Sequence, residues 1–406
     1  MRHAPEKGPW LTAGVRGIGA ASLLSDLGHE IPTSLLPRFL TSTLGAPAAA
    51  LGLIEGLADG VAGLMRLLGG ALADDPRRRR NAAIGGYATT ALLTALIGAA
   101  QAVWQVGLLR TGGWAARGLR VPSRNALLAD AVPSESYGRA YGFERAMDNL
   151  GAVGGPLLAL ILVAAFSLRL AILLSVIPGL LAVAAILYAI RHLPRQPARE
   201  HRPIRITVRP LMRGRLGRLM VAVGAFELGN VAATLLILRA TELLTPTRGG
   251  HSATQLALGL YLSYNLAATL TSIPAGRLSD RFGPIRVLAG GTVSFLAAYL
   301  TFATVEASIP TLGVAFVLAG VGIGCVETAE HAAVATEALT HLRGSAFGLL
   351  AAVQSFGNLA ASGVAGLIWT TVSPTAAFFY SSAWMGIAIV IFRVIPPPAA
   401  IRSPLN

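Results

Sequence analysis

Asp26-Leu27-Gly28-His29-Glu30-Ile31-Pro32-Thr33-Ser34-Leu35-Leu36-Pro37-Arg38 places two acids, a histidine and an arginine inside a run, from about 15 to 40, that is otherwise apolar. A membrane-crossing helix needs about 20 such residues, so the run is long enough to span a bilayer. Ionisable groups at that depth are costly and point to function. The stretch has an echo: Glu227-Leu228-Gly229-Asn230 leads on to Arg239, so an acid, Leu-Gly and a polar residue recur, with an arginine twelve positions after each acid. One half of the chain copies the other.

The rest of the composition agrees. The 406 residues are 54% hydrophobic and 13% charged, where soluble domains carry about 25% charge, and the mean hydropathy is +0.62. Apolar runs of about 20 to 27 residues begin near 15, 47, 81, 104, 138, 168, 216, 252, 284, 309, 343 and 373, which predicts roughly twelve spans and little soluble mass. The expected fold is an all-α integral membrane protein of two six-helix halves, 1–190 and 219–406, joined by a basic linker, 191–218. That linker holds nine arginines, four prolines and one glutamate, and suits anionic lipid headgroups.

A net charge of +14 raises the question of nucleic acid, but the arginines fall in alternate loops and form no single basic face. Arg77 to Arg80, Arg139, the linker, Arg281, Arg286, Arg343 and Arg393 all lie on one side of a twelve-span chain. By the positive-inside rule that side is cytoplasmic, with both termini inside and the protein in the inner or plasma membrane. The first span, with its acids and prolines, reads as a retained helix and not a cleaved signal. One cysteine, Cys325, allows no intrachain disulfide.

Asp26 and Glu30 are one turn apart on one face near the expected midplane. Arg38, farther out, has two readings: a side chain snorkelling to the interface, or a functional group echoed at Arg239. Pro32 and Pro37 remove backbone donors and are expected to bend the outer half of this span. The second span carries Glu55 and Asp59, again four apart, then Arg66. Tyr261 and Asn265 stand 206 positions later, and Gly276-Arg277-Leu278-Ser279-Asp280-Arg281-Phe282-Gly283 stands 206 after the segment that starts at Gly70 and contains Asp74. A shared offset over several pairs signals a transporter built from two related halves.

These segments resemble the Gly-x-x-x-Asp-Arg-x-Gly signature of the major facilitator superfamily, and the likeness extends over essentially the whole chain. The match is good at Gly276 to Gly283 and partial at Gly70 to Arg80, where Asp75 and Arg77 replace the expected Arg and Gly. The resemblance implies that Asp74, Asp280 and Arg281 belong to conformational latches. Gly142, Gly151, Gly155 and Pro156 of the fifth span resemble the motif of drug/proton antiporters in that family, without its trailing Gly-Gly. Small residues so spaced also simply allow close helix packing.

The fourth span holds Arg110, Arg117, Arg120 and Arg124, the last three on one stripe. At the equivalent place, 206 later, the tenth span holds Glu327, Glu330 and His331. Buried charges need partners. One expectation is therefore pairing of Arg120 or Arg124 with Glu327 or Glu330 across the pseudo-twofold axis; the other is that the stripe receives an anionic group of the substrate. Glu144, Arg145 and Asp148 can satisfy one another or those arginines. Cys325, Glu327, Glu330 and His331 fall short of a metal ligand set.

The expected activity is secondary transport by alternating access, through a cavity lined by spans 1, 2, 4 and 5 and by spans 7, 8, 10 and 11. Burial favours a protonated carboxylate and a nearby arginine favours the ionised form, so a changing distance between them makes a proton switch. The candidates are Asp26, Glu30 and Glu227, with Glu55 and Asp59 behind them. His29, Arg38, Arg117, Arg120, Arg124, Asp148, Arg239, Asn265, Glu327, Glu330, His331, Gln354 and Asn358 are the candidates for contact with substrate. Gly70, Asp74, Gly276, Asp280, Arg281, Gly151, Gly155 and Pro156 are the candidates for gating. Protons, a small organic molecule and lipid are the expected partners, the chain acting as a monomer without a cofactor. Export is the favoured direction. Uptake of an organic anion, export of a metal or chelate, and a sensor that has lost transport are the rivals; no nucleophile and base suggest an enzyme, and no Gly-x-x-x-x-Gly-Lys run suggests ATP.

Overall fold

The Val15 amide donates to the Thr12 hydroxyl where the first span begins, and from there α1 runs over Ala13–Arg38. The computed structural model describes residues 10–194, 204–304 and 308–395, so positions 195–203 of the expected linker lie outside the described residues. Helix α1 continues through Pro32 and Pro37 and closes with a π-helical turn, Phe39–Thr43. Then follow α2 (Ala48–Ala73), α3 (Pro76–Leu96), α4 (Val103–Asp130), α5 (Tyr137–Ala165), α6 (Leu168–Leu174) and α7 (Val176–His192). The second half has α8 (Gly214–Gly229), α9 (Ala233–Arg248), α10 (Gly250–Phe282), α11 (Pro284–Thr304), α12 (Ile309–Glu337), α13 (Arg343–Thr371) and α14 (Pro374–Val394). No strand occurs among the described residues.

Among the described residues fourteen α-helices make twelve spans, because two spans are broken. Helices α6 and α7 meet at Ser175, where Pro178 cannot donate to the carbonyl four residues back. Helices α8 and α9 are separated by Asn230, Val231 and Ala232. Backbone freed by a break within a membrane must find partners in the protein. Helix α13 supplies them: Asn358 donates from Nδ2 to the Asn230 carbonyl at 2.8 Å, and the Ala232 amide donates to Ser362 Oγ at 2.9 Å.

Nine runs among the described residues are long and apolar enough to cross a membrane. The spans that fall short, α1, α2 and α4, carry Asp26 and Glu30, Glu55 and Asp59 with Arg66, and the arginine stripe. Their length is ample, since the 26 residues of α2 rise about 39 Å at about 1.5 Å each. Their polarity is the price of the site they build.

The two halves repeat one packing scheme. In the first, α1 packs on α5 and α7, α2 on α4, and α3 on α4 and α7; in the second, α8 packs on α13 and α14, α10 on α12, and α11 on α12 and α14. The halves meet chiefly where α5 crosses α10 and α2 crosses α13.

Candidate substrate cavity and its gates

The inner stretch of α1 lies against α5 because α5 presents no side chain there. A Cβ on Gly151 would come within 2.5 Å of the Leu23 carbonyl oxygen and 3.0 Å of Asp26 Cβ, and one on Gly155 within 3.1 Å of the Leu27 carbonyl oxygen. The second half repeats this contact: a Cβ on Gly357 of α13 would lie 2.5 Å from Glu227 Cβ. Gly357 is 206 positions after Gly151. Asp26 and Glu227 are thus equivalent positions of the two halves.

Their surroundings differ. Asp26 is buried and bound by Arg117 at 3.2 Å, while Arg117 also reaches His29 Nδ1 at 3.1 Å. His29 stacks on Trp114, ring centroids 4.4 Å apart, and has Glu30 at 3.4 Å. Arg110 pairs with Glu55 at 3.1 Å, donates to the Thr33 hydroxyl and lies over the Trp114 ring at 4.4 Å. Glu227 has no basic group within ion-pair distance among the described residues; its Oε2 accepts from Asn230 Nδ2 at 3.0 Å.

A cavity of about 530 Å³ lies between the halves. Asp59 and Arg66 of α2, Arg117, Arg120 and Arg124 of α4, and Arg145 and Asp148 of α5 line it from one side. Glu227, Asn230, Glu327, His331, Gln354, Ser355 and Asn358 line it from the other. Spans 2, 4, 5, 7, 10 and 11 therefore form the wall, and spans 1 and 8, also expected there, contribute no lining residue. Asp26 of α1 reaches the cavity only through Arg117. In span 8, the Asn265 amide turns back to the Tyr261 carbonyl of its own helix.

The expected pairing of Arg120 or Arg124 with Glu327 or Glu330 does not occur. Arg124 is held within its own half by Glu144 at 2.8 Å, Asp148 at 3.3 Å and the Ser22 hydroxyl at 2.9 Å. Arg120 donates to Ser25 Oγ at 2.7 Å and stacks over Tyr87 at 4.0 Å. The cavity cation that pairs with an acid of the second half is Arg145, which joins Glu144 at 2.7 Å, Asp148 at 3.2 Å and, across the axis, Glu327 at 3.9 Å. Glu330 lies behind the wall, hydrogen-bonded by Gln354 and 3.9 Å from His331. Acids on α5, a helix in the same half, reach the stripe before α12 can.

Arg38 and Arg239 lie outside the cavity. Arg38 is exposed, and Arg239 donates to the Phe302 carbonyl at 3.2 Å and to Thr375 at 3.4 Å, tying α9 to α11 and α14. Among the described residues no three His, Cys, Asp or Glu side chains converge on a metal-sized point. Cys325 faces Gly291 of α11, away from its neighbours Glu327 and His331. Two cavity arginines, Arg66 and Arg145, were not among the sequence candidates. Arg66 follows Asp59 by seven residues on the same helical face, a spacing that could have exposed it.

The Arg-rich end of the cavity is closed by two matched contacts. Asp280 of α10 accepts from the Gly138 amide at 2.7 Å, the Arg139 amide at 3.2 Å and Arg139 Nε at 2.7 Å, at the start of α5. Asp74, at the end of α2, accepts from the Ser345 amide at 2.9 Å and the Ser345 hydroxyl at 2.5 Å, at the start of α13. An acid at a helix N-terminus takes up free amides and meets the positive end of the dipole. Ser345 is 206 positions after Arg139, so the two latches are copies. Asp130 adds a third tie, bonded by Arg79 of its own half and by Arg343 of the other at 3.0 Å. Arg281 stands outside these contacts, over the ring of its neighbour Phe282 at 5.0 Å.

Residues 18–243 and 219–405 match the family model of the Major Facilitator Superfamily. An uncharacterised MFS-type transporter of Methanocaldococcus jannaschii is 30% identical over 379 residues, 92% of each chain. The gentisate transporter of Corynebacterium glutamicum is 28% identical over 312 residues, covering 71% of this chain and 66% of its own. The multidrug resistance protein MdtG of Escherichia coli is 25% identical over 284 residues, 66% of this chain and 65% of its own. Among solved structures, a bacterial homologue of the iron transporter ferroportin in an outward-facing state superposes with a TM-score of 0.76 at 16% identity, covering 94% of this chain and 99% of that one, a likeness of fold alone.

Proposed function

The chain belongs to the major facilitator superfamily, and on that premise we propose that this transporter exports a small organic compound in exchange for protons, the two halves rocking about the charged cavity. The observation that carries the reading is the cavity itself, placed between the halves and tied shut at one end by the twin latches of Asp74 and Asp280. We assign the Arg-rich end to the cytoplasm of a plasma-membrane protein, so this is an outward-facing arrangement, and inward opening must break both latches.

Glu227 is the proton carrier of choice among the five acids considered. Asp26 and Glu55 are already neutralised by Arg117 and Arg110. Glu227 is hydrogen-bonded by a neutral amide and has no cation within ion-pair distance among the described residues. A buried carboxylate without a cation is relieved of its desolvation cost by taking up a proton. Export draws its support from the fifth-span motif and from the name of MdtG. Uptake of an organic anion is the second reading, supported by Arg66 and Arg120, which have no acid within ion-pair distance among the described residues, and by the name of the gentisate transporter.

Everted vesicles with an acid interior test this. A compound from a chemically broad panel should collapse the pH gradient with the intact protein, and Glu227→Gln should abolish the effect at every pH. Concentrative transport that survives in Glu227→Gln would refute the assignment to Glu227, and survival in Asp26→Asn and Glu30→Gln as well would refute a proton switch on these acids. Acid-driven accumulation on the cytoplasmic side would reverse the direction.

A further inference from the structure

We propose that the cavity takes a zwitterion of the amino-acid or short-peptide kind, its carboxylate on Arg66 and its ammonium on Glu227. This deepens the transporter reading and rests on it.

Most of the charges that line the cavity already have partners. Arg117 is held by Asp26, while Arg124 and Arg145 share Glu144 and Asp148. Arg120 gives Nη2 to Ser25 and has its guanidinium covered by the Tyr87 ring, its Nε and Nη1 buried without hydrogen-bond partners among the described residues. Arg66 differs in having no aromatic ring over its guanidinium among the described residues: its Nη1 donates to the Ala351 carbonyl and the Ser355 hydroxyl of α13, Nε is buried without a partner, and Nη2 has none among the described residues. A guanidinium fixed at one nitrogen and free at the others is shaped to take a carboxylate.

Glu227 is its opposite on the far wall. Its Oε2 is held by Asn230, its backbone is fixed against Gly357, and its Oε1 has no partner among the described residues. Arg66 and Glu227 line one cavity from different halves. A monoanion on Arg66 would leave Glu227 satisfied only by the proton it carries and would also approach Asp59, a second lining acid with no ion pair among the described residues; a monocation on Glu227 would leave Arg66 unpaired. Unpaired charge in an enclosed site counts against binding, so a ligand carrying both signs is selected over either half of it. A volume of about 530 Å³ admits ligands from a single amino acid to a small peptide.

The test uses the purified full-length chain in lipid nanodiscs. Thermal stabilisation is measured with α-amino acids, ω-amino acids, dipeptides and tripeptides, and each ligand that binds is measured again as its N-acetyl and methyl-ester forms. At least one zwitterion should bind, about tenfold or more tighter than either single-charge form. Arg66→Gln should remove the preference over the ester, and Glu227→Gln the preference over the N-acetyl form. Silence across the whole panel, or an N-acetyl or ester form that binds the intact protein as well as its parent, overturns the proposal without recourse to any variant. A singly charged compound that dissipates the gradient in vesicles would overturn the zwitterion and leave transport standing. A zwitterion that binds but never crosses would do the opposite.

Discussion

Replacing Glu144 by alanine is expected to destabilise the folded transporter by about 3–5 kcal/mol, the cost of removing one member of a buried ion pair. Glu144 is fully buried and holds Arg124 at 2.8 Å and Arg145 at 2.7 Å, with the Ser22 hydroxyl donating to it at 2.6 Å. Alanine leaves Arg124 and Arg145 to share Asp148, with Glu327 reaching only Arg145 and at 3.9 Å. The midpoint of thermal unfolding in detergent should fall by many degrees. Replacing Arg124 and Glu144 together by methionine restores the balance, because Arg145 and Asp148 remain a pair at 3.2 Å. The double variant should regain much of the loss, and with Glu144→Met and Arg124→Met as its matching single variants the excess over additivity measures the pair. A single variant as stable as the parent would mean that Asp148 and Glu327 can satisfy both cations.

That network also marks how far the sequence could be read. The buried arginines and the acids facing them along the chain were legible, because spacing of three and four places side chains on one helical face. Their pairing was not, because it depends on how two helices are rotated and how far a side chain reaches. Arg124 meets Glu144 and Arg145 meets Glu327, since α5 lies between the α4 stripe and α12. The internal repeat was legible in the offset of 206, and the latches of Asp74 and Asp280 and the glycine seats of Asp26 and Glu227 obey it in space. The break at Asn230 was hidden. The prolines lie in α1, yet α1 stays helical through both and its counterpart is the one that breaks, at a place where Asn358 and Ser362 of another helix cap the freed backbone. Only a partner distant in sequence reveals that. Arg38 and Arg239 show the converse, a repeat in sequence that supplies no cavity group.

The largest effect on transport is expected from Gly348→Leu and Gly142→Leu, which place a side chain where two halves must touch. A Cβ on Gly348 would come within 2.6 Å of the Arg66 carbonyl oxygen and 2.8 Å of Gly70 Cα. One on Gly142 would meet Gly276 Cα at 3.1 Å. Both neighbours are backbone and cannot rotate away, so α13 must part from α2, or α5 from α10. Overpacking of this kind costs about 1–3 kcal/mol, which lowers the population closed at this end by about 5- to 150-fold. The latches beyond the wedge, Ser345 on Asp74 and Gly138 on Asp280, would be drawn out of hydrogen-bond range. Each variant should therefore transport slowly and let a bulky maleimide reach a cysteine placed at Ser279, which is 3% exposed beside the second latch. The two sites lie on opposite sides of the axis, so their effects should add. Gly259→Leu and Gly363→Leu, where an added Cβ meets nothing within 4 Å, are the controls and should leave the rate unchanged. If the wedged variants transported at the parent rate with Ser279→Cys still protected, closure of the Arg-rich end through these glycine contacts would not be a step of the cycle, and the matched latches would be scaffold in place of gates.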